Sequence, residues 1–102
     1  DRLLEGHMDN VRGHILGDPL IKEGRLCHFT ENHDEPRAAE HFGARAAAAT
    51  VASLTLPGPR LVMWGQDLGL RQRLAVHLRR ARAEESDAPA AASFRRLLSA
   101  LP

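Results

Sequence analysis

The sequence predicts an α/β chain built from helices that alternate with two short strands. Three observations carry this. An apolar residue recurs at three- or four-residue spacing near the start, at Leu3, Leu4, Met8, Val11 and Ile15, as on one face of a helix. Two short strand-like runs, Leu26–Asn32 and Arg60–Trp64, flank an alanine-rich stretch. Turn residues sit between the runs, at Gly17-Asp18-Pro19, at Pro36 and at Pro57-Gly58-Pro59. The order helix, strand, helix, strand, loop, helix is the pattern of βα units with a parallel sheet.

Each element has a local reason. Residues 1–16 read as a helix that Gly17 and Pro19 end. Leu20 to Arg25 is a short helix or a loop. Leu26 to Asn32 reads as a strand with Cys27 and Phe29 on one face, and Pro36 blocks its continuation as a central strand. Ala38 to Leu56 is rich in alanine, the best helix former, and is interrupted only by Gly43. Arg60-Leu61-Val62-Met63-Trp64 is an apolar run of the kind buried in parallel sheets. Gly65 to Gly69 follows as a loop. Residues 70–83 are basic and irregular. Asp87 to Ala100 reads as a last helix, with Asp87 as N-cap and Pro89 in its first turn.

Composition bounds the function. With 102 residues the chain is one small domain at most. Apolar residues at 43% and charged residues at 26% exclude disorder of the whole chain. A formal net charge of +1 argues against a dedicated nucleic-acid binder. The arginines between positions 71 and 82 are followed at once by Glu84, Glu85 and Asp87, which compensate them. The longest uncharged run, Ala46 to Pro59, is shorter than the roughly 20 apolar residues of a membrane span. The lone Cys27 allows no intrachain disulfide and is compatible with a reducing compartment. Two strands do not make a stable parallel sheet, so the chain reads as a piece of a larger domain whose open edges would favour aggregation in isolation.

The chemistry concentrates in Phe29-Thr30-Glu31-Asn32-His33-Asp34-Glu35-Pro36-Arg37. Asn, His and Asp side by side at a strand end offer a hydrogen-bonding set for sugar hydroxyls and a carboxylate for a developing positive charge. The plainer reading makes Asp34 a cap for the helix from Ala38 and His33 a structural residue. His28, His33, Asp34 and His41 match no metal-binding spacing. Cys27 reads as a small core residue rather than a nucleophile. Trp64 is open to either sugar stacking or the core, and Gln66 and Asp67 at a strand end are open to lining a pocket.

Phe29 followed by Asn32-His33-Asp34 resembles the seventh-strand motif of the α-amylase family of glycoside hydrolases (glycoside hydrolase family 13). Pro57 to Gly69 is similar to that family's eighth strand and the turn after it, and Phe94-Arg95-Arg96-Leu97-Leu98 to its eighth helix. The resemblance implies the C-terminal part of a catalytic barrel over residues 1–102, a partial TIM (β/α)8 barrel running from about the sixth helix through strands seven and eight to the eighth helix. A whole barrel takes about 250 residues. The resemblance further implies that Asp34 stabilises the transition state and His33 binds the sugar, with Asn32, Arg37 and Gln66 as further substrate-binding residues. The nucleophile and the acid/base lie upstream in that family, and Glu31 and Glu35 match neither, so this chain alone is expected to be inactive. The implied partner is an α-glucan or oligosaccharide, together with the remainder of the barrel; nucleic acid and membrane are not expected. No cofactor or metal is expected within the chain, although members of that family often hold calcium through upstream ligands. The chain departs from the family pattern in having Met63 and Trp64 where tyrosines are common. A glucan transglycosylase, a degenerate amylase-like domain and a non-catalytic helical interaction module are the alternatives.

Overall fold

The computed structural model describes residues 7–75, 77 and 81–102. It is helical. Among the described residues five helices follow one another: α1 (Met8–Gly17), α2 (Pro19–Lys22), α3 (Ala38–His41), α4 (Ala46–Leu54) and α5 (Ala88–Ala100), with a 3-10 turn (Gly43–Arg45) between α3 and α4. α4 packs on α5 and on α3. The apolar core is thin: Ile21, Ala38, Ala49, Leu54, Leu70, Ala91 and Phe94.

Local chemistry explains where helices start and stop. Asp18 accepts a 2.9 Å hydrogen bond from the Leu20 N–H, and Pro19 occupies the first turn of α2. Asp87 does the same for α5, accepting from Ala90 N–H at 3.0 Å with Pro89 in the first turn. The end of α4 is closed by Arg60, whose Nε donates to the Leu54 carbonyl at 2.8 Å. The continuous helix expected from Ala38 to Leu56 is broken, because Gly43 takes a left-handed φ of 52° that the interior of a right-handed α-helix does not accommodate. Of the first predicted helix, residues 1–6 lie outside the described residues, as do positions 76 and 78–80 of the basic stretch.

The expected partial (β/α)8 barrel is not formed. Among the described residues there is no strand, and the two predicted strands meet in one isolated parallel bridge, His28 with Arg60. Its hydrogen bonds run from His28 N–H to the Pro59 carbonyl and from Leu61 N–H to the His28 carbonyl, each 3.2 Å. The ladder stops there for two reasons. The Met63 N–H goes instead to the side-chain Oε1 of Gln66, at 3.3 Å, as the chain turns through 64–69. No further strand flanks the pair, so neither segment gains the neighbours that make extended backbone stable. The expected burial fails with it: Cys27, Phe29, Leu61, Val62 and Trp64 are exposed, whereas Thr30 and Glu31 are buried.

Two glycines permit the close approaches. Gly58, at φ 116°, leaves room for the backbone of 24–26, since a Cβ there would lie 2.4 Å from the Leu26 carbonyl oxygen. Gly65, at φ 81°, would place a Cβ 2.5 Å from Leu70 Cδ1 and 3.0 Å from Arg37 Nη2. Gly65→Ala is therefore expected to cost more than about 1 kcal/mol. Urea unfolding of the two proteins checks this, and an unchanged midpoint would contradict the packing described around Gly65.

Candidate functional site

The segment 30–37 is fastened from below by buried polar groups. Glu31 and Arg37 are each only 1% exposed, with Glu31 Oε1 3.1 Å from Arg37 Nη2. Glu31 Oε2 accepts a 2.6 Å hydrogen bond from the Ala38 N–H, so it is Glu31, rather than Asp34, that serves the first turn of α3. Arg37 reaches across to the 64–70 turn, donating to the carbonyl of Trp64 at 3.0 Å and to that of Leu70 at 3.4 Å. Beside it, Gln66 Nε2 donates to Thr30 Oγ1 at 2.7 Å. The Glu31–Arg37 contact lacks hydrogen-bond alignment, and Glu31 Oε1 and Arg37 Nη1 have no hydrogen-bond partner. Burial pushes the Glu31 carboxyl above its ordinary value, against the opposing pulls of the Ala38 N–H and the Arg37 charge.

Above this frame the loop tip faces solvent. Asn32 Oδ1 accepts from the N–H groups of Asp34, at 2.8 Å, and Glu35, at 3.0 Å, forming an Asx-type turn. That turn presents His33 and Asp34, whose side chains are 60% and 74% exposed and lie 3.2 Å apart. A contact this exposed contributes little to stability. Arg73 holds the tip from the other side through main chain alone, its Nη2 donating to the carbonyls of Asp34 and, at 3.4 Å, His33. Neither outward-facing side chain is consumed by the fold.

The five sequence-predicted site residues thus divide. His33 and Asp34 stand together at the surface, with Asn32 bracing their backbone. Arg37 and Gln66 are turned inward, with Arg37 Nε and Nη2 and Gln66 Nε2 bonded to protein. Glu31, which the sequence reading passed over, is the partner that fixes Arg37. A Glu and an Arg six positions apart across a proline carry no recognisable signal, which is why pattern reading does not find them.

Two concavities adjoin the frame. One, about 290 Å³, lies between α3, α4 and α5, with Glu31, Thr50, Gln66, Leu70 and Phe94 among its walls. The other, about 810 Å³, runs between Glu40, Trp64 and the segment Arg71–Leu74. No group of three or more His, Cys, Asp or Glu side chains able to hold a metal occurs among the described residues, and no described helix is long and apolar enough to cross a membrane. Comparison with protein-family models, with curated proteins and with solved structures found no match to this chain.

The buried groups make two measurable predictions. Arg37→Met leaves the Glu31 carboxylate buried without its cation and is expected to cost about 3–5 kcal/mol. The double variant Glu31→Gln/Arg37→Met should recover much of that loss in urea unfolding, whereas simple additivity would show the pair to be uncoupled. The second concerns His28, whose ring nitrogens are both shielded and unpartnered. Burial first, and the nearby His14 second, lower its pKa from 6.5. The folded state therefore binds that proton less well than the unfolded chain. Its contribution to stability is present above 6.5 and is lost as pH falls through the lowered value. Relative to His28→Gln, the wild-type chain should lose stability on acidification through that window, and parallel pH profiles would refute the assignment.

Proposed function

We propose that this chain is part of an α-amylase-like retaining glycoside hydrolase acting on α-glucosidic bonds of starch-like glucans or oligosaccharides. The observation that supports the reading is the presentation of His33 and Asp34. Both are exposed, both are held by bonds to their backbone, and Asn32 and Arg73 brace the loop from opposite sides. Asp34 would face the oxocarbenium-like charge that develops at the anomeric carbon, and His33 would donate to a hydroxyl of the same sugar. The attacking carboxylate and the proton donor are not among this chain's residues in this reading, so it supplies stabilisation and binding rather than the covalent step. Arg37 and Gln66 would act on the sugar through the frame they hold.

The helical architecture favours a second reading, a non-catalytic interaction module, because Met8, Leu16 and Leu98 leave apolar side chains on the helix surfaces. One experiment separates the two. In the polypeptide purified from its source, Asp34→Asn is expected to lower kcat on maltooligosaccharides by about 10²–10³-fold. The side chain is exposed and makes no bond to the core, so the unfolding midpoint should move by less than about 0.5 kcal/mol in stability. Turnover that ignores the substitution, or a native polypeptide that cleaves no α-glucan, would leave the interaction module standing.

A further inference from the structure

The structure assigns the cavity between α3, α4 and α5 as a binding site for a small, neutral aromatic molecule with one hydrogen-bond donor, of the phenol class, anchored on Glu31. The inference is independent of the glycosidase reading, and neither His33 nor Asp34 lines this cavity.

The space exists because facing elements present small side chains. Ala38, Ala47 and Ala90 are among its walls, with Leu70 and Phe94 supplying larger apolar groups. Bonds elsewhere pin these walls. The Asp87 N–H donates to the Leu68 carbonyl at 2.9 Å, which fixes the start of α5 against the 64–70 turn. Gly69, at φ 68°, lets the two elements touch, since a Cβ there would lie 2.9 Å from Ala90 Cβ. On the other side Glu31 Oε2 holds the Ala38 N–H at the start of α3. The walls cannot slide together without breaking these bonds. At about 290 Å³ the cavity is larger than an aromatic ring requires, because roughly 150 Å³ suffices for benzene.

One polar group makes this more than loose packing. Glu31 belongs to the cavity wall and is 1% exposed. Its Oε1 has no hydrogen-bond partner, although Arg37 Nη2 stands 3.1 Å away out of alignment. A buried acceptor without a donor is costly, so a ligand that brings a donor satisfies what the fold leaves unmet. The Arg37 charge already offsets that of Glu31, which favours a neutral hydroxyl over an ammonium group. The rest of the wall suits an aromatic body. Phe94 offers its ring, and Leu70 and the alanines offer apolar contact. A sugar, with a hydroxyl on nearly every carbon, would leave most of them unpaired against these walls.

Calorimetric titration of the 102-residue chain with para-cresol is expected to give saturable binding, with a Kd of about 1 mM or tighter. Toluene, the same body without the hydroxyl, should bind about fivefold or more weakly. Ser93→Leu on the α5 wall and Thr50→Leu on the α4 wall each fill the cavity, and each should weaken para-cresol binding by at least about tenfold. Far-UV circular dichroism verifies that each variant keeps its helices, and the comparison with toluene uses the unaltered chain. Absence of saturation at millimolar para-cresol overturns the site. Equal affinity for toluene removes Glu31 as the anchor and the phenol class with it. Binding that survives both filling substitutions places the ligand elsewhere and likewise overturns the assignment.

Discussion

Glu31 and Arg37 tie the loop before α3 to the turn at 64–70. Both are almost completely buried, and between them they bind the start of α3, the carbonyl of Trp64 and the carbonyl of Leu70. Gln66, bonded to Thr30, ties the 30–38 segment to the 63–70 turn a second time. The loop tip above and the cleft beside it both inherit their position from this pair. A buried ion pair is weak evidence of net stabilisation, because desolvation offsets much of the attraction. What it enforces is register: any other arrangement would strand a charge in the interior.

That register explains the small apolar core. The chain buries a few aliphatic side chains, several of them alanines, together with Thr30, Thr50, Ser53 and Gln66. Alanine contributes little area per residue, so Leu54 of α4 and Phe94 of α5 supply the large apolar side chains of these two helices to the core. The cost of burying polar atoms is met only in part. The Glu31 carboxyl is pushed up by burial, and the ring nitrogens of His28 and the hydroxyl of Ser53 are shielded without partners. His33 and Asp34 sit where this frame meets solvent, on side chains that the fold itself does not use.

The sequence was legible wherever the controlling chemistry was local. Asp87 with Pro89 announces a helix start through an acceptor and a preset φ, and it is observed; Asp18-Pro19, legible as the end of the first helix, also caps α2. The alanine run announces a helix, though the left-handed Gly43 cuts it in two. The strands were misread because Leu26–Asn32 and Arg60–Trp64 have the composition of strands but lack neighbours. Extended backbone is stable only when its N–H and C=O groups find partners along the whole length. Here one bridge forms, and the next donor, the Met63 N–H, bonds to the side chain of Gln66. The grouping of Asn32, His33 and Asp34 was equally legible, being contiguous, whereas their division from Arg37 and Gln66 into surface and interior was not.

Sequence alone therefore decided the start of α5, the turn at Gly17–Pro19 and the presence of adjacent Asn, His and Asp side chains. All of these depend on interactions within a few residues. Tertiary structure alone decided that Arg37 faces Glu31 rather than solvent, that Gln66 spans to Thr30, and that Trp64 stands outward beside Arg73. Those outcomes depend on partners as far as 40 residues apart, as for Arg73 and His33. A pairing that long is set by which buried charges and donors can be satisfied together, and no window of local sequence contains that information.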